Sequence, residues 1–342
     1  MNMKFLALLA AATVSQALAQ TSVDPYMGDW KGTLKIGDGT EQDVVAAMIP
    51  LSGGKYEVKF FSTFEQRVPV LQHLKASFQA GDFKALDAIS FDPWRVVGTT
   101  ENGVVFGASF WAGQLQQGTL QGTVAGKSKG QFKLTQSKRT SPTLGAKPPA
   151  GAIVLFDGQS LEGWQTRDRT AAKAKLIDGG VFQIGGGDMM TKETFGDQKL
   201  HLEFLLPYMP TSFGQGRANS GVYLQSRYEV QVLDSYGLES QDNDCGGIYQ
   251  IARPIVNGCF PPLQWQAYDI TFHAARFDDS GKKTANSRIT VVQNGVTIQD
   301  NLELPHITPG GQDNNEKNPG PLMLQDHGNP VQYRNIWVQK LN

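Results

Sequence analysis

The sequence lacks a surplus of charge of either sign. Its 342 residues include 31 Lys and Arg against 32 Asp and Glu, which gives a net charge of −1. Proteins that bind nucleic acids usually carry a basic patch and a basic surplus. The composition therefore gives no reason to expect a nucleic-acid partner. Charged residues make up only 18% of the chain, while 40% are hydrophobic, enough to build a buried core.

Long apolar runs are also missing, apart from one near the start. A basic beginning at residues 1–4 precedes an apolar run at residues 5–14, and small residues follow at 17 and 19. The run is too short to span a bilayer core of about 30 Å. This three-part pattern predicts a signal peptide over residues 1–19, cleaved before Gln20. We expect an exported protein, periplasmic or extracellular, without a membrane anchor.

Cysteine is scarce, since Cys245 and Cys259 are the only two. Export would place them in an oxidising compartment, where disulfides persist. A bridge would close a loop of about fifteen residues and contribute about 3 kcal/mol in the chain-entropy model. We predict this bridge, with two ordinary buried thiols as the alternative. Two thiols without a nearby histidine would leave a zinc ion with too few ligands.

Glycine is abundant, at 38 residues, and it separates short runs of strand-forming residues. Asn294-Gly295 between two such runs is typical of a β-hairpin. No stretch longer than about twelve residues keeps a helical period. The sequence therefore predicts an all-β protein. Its parts would be a small antiparallel N-terminal β domain (20–137), a linker rich in Pro, Gly, Ser and Thr (138–151), and a β-sandwich (152–342).

Alternation along three strand-like runs predicts which side chains share a face. Residues 201–206, 221–225 and 228–232 each alternate apolar side chains with polar or aromatic ones. If the apolar positions face the core, the opposite face carries Glu203, Tyr223, Glu229 and Gln231. The alternative is a plain solvated face, which any antiparallel sheet can show.

Further polar residues lie where predicted strands begin or end. Asn219 precedes one strand, Asp234 follows another, and Gln325, Asp326 and His327 end a short apolar run. Planar polar groups can bond sugar hydroxyls while aromatic rings stack on the CH face of a sugar. The cluster therefore favours a carbohydrate ligand. An Asp–His pair that serves only as a structural hydrogen bond is the alternative.

Several segments, taken in order along the chain, resemble the 3-keto-disaccharide hydrolase family. The resemblance covers residues 152–341, and the N-terminal part has no counterpart in it. It implies a concanavalin-like jelly-roll sandwich and action on glycosides that carry a ketone at the third sugar carbon. The matching segments are residues 155–158, 161–164, 219–223, 228–234, 245–249, 265–270 and 324–337.

This activity needs three chemical roles. A ketone at carbon 3 acidifies the hydrogen on carbon 2, whose removal allows the group on carbon 1 to leave before water adds back. The protein must supply a base, a group that stabilises the enolate and an acid for the leaving oxygen. We predict His327 as the base, because imidazole commonly abstracts protons at neutral pH. Asp326 or Asp234 would orient it or bind a metal, and Glu229 and Glu203 would serve as acid or metal ligand.

A divalent metal ion would stabilise an enolate well, but no spacing in the sequence identifies its ligands. A non-catalytic, lectin-like module is the main alternative, because the same sandwich fold also serves in glycan binding. A retaining glycosidase would need two carboxyl groups about 5–5.5 Å apart. The aglycone, the anomeric preference, the oligomeric state and the role of the N-terminal domain stay open. Residues predicted to contact the sugar are Asn219, Tyr223, Gln231, Trp164, Gln325 and Arg334.

Overall fold

A computed structural model describes residues 24–78, 88–93, 109–126 and 129–341. The predicted signal peptide lies outside the described residues. Within these ranges the regular elements are strands, apart from two short 3₁₀ turns, Ser52–Gly54 and Gly214–Gly216. The predicted all-β class is confirmed. In the same ranges, no helix is long and apolar enough to cross a membrane.

The N-terminal part is a closed antiparallel barrel of eight strands in sequential order, with the first strand paired to the last. Its interior is filled by large apolar side chains, among which the Trp111 ring contacts both Phe60 and Phe132, with ring centroids 5.4 and 5.3 Å apart. Closure leaves this sheet without a free edge. The strands are β1 (Gly28–Ile36), β2 (Gln42–Pro50), β3 (Lys55–Phe61), β4 (Gln72–Phe78), β5 (Ala88–Pro93), β6 (Ser109–Gln116), β7 (Thr119–Gly126) and β8 (Gly130–Ser137).

The C-terminal part is a sandwich of two antiparallel sheets, which confirms the predicted β-sandwich. The five-stranded sheet has the order β10 (Trp164–Gln165), β13 (Met189–Phe195), β22 (Gly320–Asp326), β15 (Ser220–Leu224), β16 (Tyr228–Val232). The larger sheet has the order β11 (Lys175–Ile177), β12 (Val181–Gln183), β23 (Gln332–Lys340), β14 (Gln198–Leu205), β17 (Trp265–His273), β20 (Ser287–Gln293), β21 (Val296–Leu304), and β9 (Ile153–Phe156) pairs with β23. A small separate ribbon consists of β18 (Arg276–Phe277) and β19 (Lys283–Ala285).

The sandwich core contains the apolar residues that alternation predicts. Leu202 and Phe204 of β14 and Val222 and Val230 of the smaller sheet are all fully buried in one cluster. Burying each such side chain is worth about 1.5–3 kcal/mol relative to leaving it exposed. The polar residues between them on β15 and β16 therefore lie on the face of the five-stranded sheet that points away from this core.

The segment 138–151, which we call the strap, lies against the outer face of the larger sheet. Thr143 Oγ1 donates a hydrogen bond of 2.7 Å to Asp269, and the Gly145 amide donates one of 2.5 Å to Glu203. The Ala146 carbonyl accepts from Asn335 at 3.1 Å. The sequence predicts a linker over residues 138–151, and in the structure this segment makes hydrogen bonds to three strands of the larger sheet. A Pro- and Gly-rich composition excludes regular structure, but its unpaired backbone groups can still bond to polar side chains.

Beneath the strap lies a buried polar network that contains Glu203. Its carboxylate accepts from Arg334 Nε at 2.6 Å and from Asn335 at 2.9 Å, and His201 bonds Asp269 at 2.7 Å. Burial alone would raise the pKa of Glu203, but hydrogen bonds from His201, Asn335, the Gly145 amide and Arg334 outweigh it and lower that pKa to about 2. Glu203 therefore pairs with Arg334 and also holds the strap through the Gly145 amide.

The barrel packs directly against the sandwich. Tyr208 of the sandwich donates a hydrogen bond of 2.9 Å to Asp24, which precedes the first barrel strand. Tyr236 donates one of 2.9 Å to Asp29 of β1. Ile49 of β2 belongs to the hydrophobic cluster of the sandwich, so the interface combines apolar packing with buried hydrogen bonds.

The prediction of a Cys245–Cys259 bridge is wrong, since both residues are free, buried thiols. Each thiol has polar partners in the core. Cys245 Sγ lies 3.2 Å from the Tyr268 hydroxyl and accepts from Gln293 at 3.3 Å. A buried thiol with hydrogen-bond partners is stable without a bridge, as the alternative interpretation required.

A buried carboxylate that holds the strap has a measurable effect on stability. Glu203→Gln should lower the free energy of unfolding by about 2 kcal/mol, because it leaves Arg334 and the strap amide without their charged acceptor. Glu193→Gln is the control, since Glu193 pairs with Lys340 and both side chains are about half exposed. The control should change stability by less than about 1 kcal/mol. Urea unfolding at neutral pH measures both, and equal effects would contradict the buried role of Glu203.

Candidate active site

A cleft of about 200 Å³ opens on the outward face of the five-stranded sheet. Two larger depressions, each of about 430 Å³, lie elsewhere on the described surface, but neither is lined by a buried titratable side chain. The cleft combines buried polar side chains with an aromatic hydroxyl. Its lining consists of Gln215, Asn219, Tyr223, Glu229, Gln231, Tyr249, Pro309, Gly310, Gln325 and His327.

Strand register brings the central side chains of the cleft together. In the pairing of β15 with β16, Tyr223 lies opposite Glu229 and Gly221 lies opposite Gln231. In the pairing of β15 with β22, Gly221 lies opposite Gln325. Residues that are directly opposite on one face have Cβ atoms about 4.5–5.5 Å apart. Three neighbouring strands therefore present an acid, a phenol and two amides as one group.

Two glycines provide the space that the side chains of Glu229 and Tyr223 occupy. A Cβ atom on Gly221 would lie 2.2 Å from Glu229 Oε1, which is far inside van der Waals contact. A Cβ atom on Gly310 would lie 2.6 Å from the Tyr223 hydroxyl, and Gly310 also has a φ of +81°. Any larger residue at position 221 would displace the carboxyl group from its place in the cleft.

Glu229 has the properties of an acid–base group. Its side chain is buried, and its Oε2 atom accepts a hydrogen bond of 2.8 Å from Tyr223. Burial raises the pKa of Glu229 to about 7; the Tyr223 hydrogen bond opposes this shift and the nearby Asp188 charge adds to it. A carboxyl group with this pKa exists in both protonation states near neutral pH. It can therefore both accept and return a proton during a reaction.

Two buried acceptor atoms in the cleft have no donor among the described residues. They are Glu229 Oε1 and Asn219 Oδ1. Asn219 is held in place by its own amide groups, since its backbone N–H donates to Asn329 at 2.7 Å and its Nδ2 donates to the Gln215 carbonyl at 2.8 Å. A buried acceptor left unsatisfied costs about 1–3 kcal/mol. Hydroxyl groups of a sugar would supply the donors that these two atoms lack.

The side-chain N–H groups of two cleft amides make only long hydrogen bonds within the protein. Gln325 Nε2 lies 3.4 Å from the Tyr223 hydroxyl, and Gln231 Nε2 lies 3.4 Å from Gln215 Oε1, both at the long end of hydrogen bonding. His327 is exposed at the rim. Gln325 and His327 can reorient toward a ligand at little cost, whereas Gln231 is buried and its Oε1 atom accepts a hydrogen bond of 2.9 Å from the Val232 amide.

The structure brings together six of the residues that the sequence singled out. His327, Glu229, Asn219, Tyr223, Gln231 and Gln325 all line the cleft. Sequence reasoning missed Gln215, Tyr249, Pro309 and Gly310. Tyr249 lies in one of the segments that carry the family resemblance, which was the available signal for it. Gln215 and the Pro309-Gly310 turn lie in loops, where no alternation predicts the direction of a side chain.

The remaining predicted residues lie away from the cleft lining. Asp326 accepts hydrogen bonds of 2.9 Å from the amides of Gly187 and Gly328, so it fixes turns and does not orient His327. Asp234 pairs with Arg217 at 2.5 Å in a buried position. Trp164 is buried in the core.

Glu203 and Arg334 lie on the other sheet, as described above. The prediction that Glu203 shares a face with Tyr223, Glu229 and Gln231 is wrong. Alternation assigns a residue to one side of its own strand, but it does not say which sheet that strand joins.

In the part of the chain that the structure describes, no three His, Cys, Asp or Glu side chains group into a metal site. The lining of the cleft contains one carboxylate, one histidine and four amide side chains. A divalent metal ion stays a prediction from the chemistry of the enolate.

Comparisons with known proteins identify the family of the C-terminal part. Residues 151–339 match the family model described as a 3-keto-alpha-glucoside-1,2-lyase-like domain. The match spans more than half of the sequence, and the chain belongs to this family. A comparison with curated proteins finds no match.

Solved structures of candidate glycosyl hydrolases from Parabacteroides distasonis are similar to part of this chain. One is 38% identical with a TM-score of 0.53, and the alignment covers 56% of this chain and 85% of that chain. A second is 18% identical with a TM-score of 0.42, covering 56% of this chain and 95% of that chain. A third is 20% identical with a TM-score of 0.39, covering 56% and 99%.

The raised pKa of Glu229 predicts how stability depends on pH. Between the ordinary carboxyl pKa of 4.5 and the folded value of about 7, the unfolded state ionises first, so stability falls as pH rises. Glu229→Gln removes this ionisation. The free energy of unfolding of the variant, relative to that of the unaltered protein, should therefore be higher at pH 8 than at pH 5, as measured by urea unfolding. Glu162→Gln, at an exposed position, controls for the loss of one charge. An equal pH response in both variants would contradict a buried, protonatable Glu229.

Proposed function

We propose that this protein cleaves glycosides that carry a ketone at the third sugar carbon, with Glu229 as the base that removes the hydrogen from carbon 2. Family membership and the relative at 38% identity support a carbohydrate-acting hydrolase. The observation that carries the finer proposal is the Glu229 carboxyl group. It is buried in the cleft, its pKa is about 7, and its Oε1 atom has no donor among the described residues.

The reaction follows from the acidity that the ketone creates. Glu229 takes the proton from carbon 2, and the electrons of that C–H bond form the enolate of the carbon 3 ketone. The enolate then expels the oxygen on carbon 1, which takes up a proton and leaves as an alcohol. Addition of water across the resulting carbon 1–carbon 2 double bond completes a net hydrolysis.

The neighbouring side chains support these steps. The Tyr223 hydroxyl bonds Glu229 Oε2 and so directs Oε1 toward the cleft. Asn219 Oδ1 accepts from a sugar hydroxyl, while the amide groups of Gln231 and Gln325 offer N–H donors for the enolate oxygen.

We assign His327 the role of acid for the leaving oxygen instead of that of base. It is exposed at the rim, where a leaving group departs, and Asp326 bonds the amides of Gly187 and Gly328 instead of orienting it. Glu229 lies deeper among the sugar-facing groups, and a buried base is better shielded from water.

The lining of the cleft disfavours a conventional glycosidase. Retaining and inverting enzymes of the usual type need a pair of carboxyl groups that flank the bond. Glu229 is the only carboxylate among the described residues that line the cleft. An elimination route needs one base at carbon 2 and is compatible with a single carboxylate. A lectin-like module would use the same amides, but it would have no need of a buried carboxyl group with a pKa of about 7.

The substrate class is tested by a matched pair of sugars. The protein should cleave a 3-keto-glucoside and leave the parent glucoside unchanged, because only the ketone acidifies the hydrogen on carbon 2. Release of the aglycone is the measurement, made with and without added divalent metal. Comparable cleavage of the parent glucoside would point to a conventional glycosidase. Binding of the keto-sugar without turnover under both conditions would establish the lectin-like alternative.

The choice of base is tested by two substitutions. Glu229→Gln should lower kcat/KM by at least ~10²-fold, since it removes the proton acceptor. In the unaltered protein, kcat/KM should rise with pH through about 7 as Glu229 loses its proton. His327→Ala should slow cleavage of a poor leaving group but not exchange of the carbon 2 hydrogen with deuterated solvent. Loss of that exchange in His327→Ala, with exchange retained in Glu229→Gln, would transfer the role of base to His327.

A further inference from the structure

Phe213 is unusual among the apolar side chains of this protein. Five large apolar side chains are exposed in the described ranges, and Phe213 is the single aromatic one and the most exposed, at 67%. It lies at the start of the Gly214–Gly216 turn in extended backbone conformation. An aromatic ring held in water loses the gain of burial, unless a ligand covers it.

The position of Phe213 relates it to the cleft. It belongs to the segment 207–219, which we call the cleft loop, because its residues Gln215 and Asn219 line the cleft. Two residues of chain span at most about 7 Å, so the backbone of Phe213 lies within that distance of Gln215. The backbone of Phe213 therefore lies close to residues that line the cleft, and its exposed ring is within reach of a ligand that extends out of the cleft.

The cleft loop is fixed in several places, so Phe213 is not on a free segment. The Gln215 side chain donates a hydrogen bond of 2.7 Å to the Asn243 carbonyl, and the Gly216 amide donates one of 3.1 Å to the Phe213 carbonyl. Asn219 is anchored to Asn329, as described above. A fixed backbone limits the conformational entropy that the loop loses when a ligand binds.

The barrel holds both ends of the cleft loop. At the beginning, Tyr208 donates to Asp24 at 2.9 Å. At the end, Arg217 pairs with Asp234 at 2.5 Å and also reaches the Pro50 carbonyl, at the end of β2, at 3.4 Å. The N-terminal barrel, for which the family resemblance offers no role, therefore braces the segment that carries Phe213.

We propose that Phe213 is a stacking platform for a ring in the leaving group of the glycoside, and that the barrel positions it. The platform would select substrates in which the group on carbon 1 presents a flat ring with an apolar face, such as a second sugar or a phenolic group. This inference rests on the proposed function for the identity of the bound sugar. The ring-binding role itself requires no turnover.

Equilibrium binding of unoxidised sugars separates this inference from the proposed function. Phenyl and methyl glucosides of the same anomeric form differ only in the ring of the leaving group, and neither should react. Calorimetry on the full chain should show that Phe213→Ala weakens binding of the phenyl glucoside by about tenfold and that of the methyl glucoside by less than about twofold. This result can be obtained even if no 3-keto-glycoside is ever cleaved.

Two further variants complete the test. Leu176→Ala removes another exposed apolar side chain, which lies on β11 of the larger sheet and does not line the cleft, and should leave both affinities unchanged. Tyr208→Phe removes the hydroxyl that binds Asp24 while keeping the ring, so it should reproduce the selective loss for the phenyl glucoside in part. Equal weakening of both sugars by Phe213→Ala, no weakening of either, or no preference of the unaltered protein for the phenyl glucoside would overturn the proposal.

Discussion

The contact between Tyr223 and Glu229 is the constraint on which the candidate site depends. Because these residues lie opposite each other on neighbouring strands, the sheet itself brings the phenol to the carboxyl group at 2.8 Å. The glycine at position 221 provides the space for Glu229 Oε1. The loop that contributes the Pro309-Gly310 turn is held to β16, the strand of Glu229, since the Thr308 hydroxyl accepts a hydrogen bond of 2.9 Å from the Glu229 amide. The strand register, the space at Gly221 and the loop over the cleft therefore all determine the position of the Glu229 carboxyl group.

Two buried glutamates show how surroundings divide structural from chemical roles. Glu203 accepts hydrogen bonds from Arg334, Asn335 and the Gly145 amide, which favour its charged form and lower its pKa to about 2. Glu229 accepts one, from Tyr223, and burial raises its pKa to about 7. A carboxylate such as Glu203, whose oxygen atoms already accept hydrogen bonds from the protein, contributes stability and has no lone pair free for a substrate. The glutamate with an unsatisfied oxygen is the one suited to proton transfer.

Local pattern in the sequence predicted the parts of the site that depend on single strands. Alternation correctly placed Tyr223, Glu229 and Gln231 opposite the core residues Val222 and Val230, because the strand period is a property of the backbone. It failed for Glu203, since the same pattern occurs on both sheets and the choice of sheet depends on distant pairings.

The sequence could not predict the contacts of the loops either, because they also join residues that are far apart along the chain. Thr308, whose hydroxyl anchors the loop over Glu229, is 79 residues away from it in sequence. Composition likewise indicated an irregular segment at 138–151, but it could not show that the strap would bind a buried glutamate.

A buried carboxylate of the barrel joins it to the other two parts. Asp29 accepts hydrogen bonds from Tyr236 of the sandwich and from Arg139 at the start of the strap. Separation of the two parts would break the hydrogen bond from Tyr236 and expose Asp29 to water. The barrel, the strap and the sandwich are thus joined by shared ion pairs and hydrogen bonds, and the cleft loop is tied to the N-terminal part through Tyr208 and Arg217.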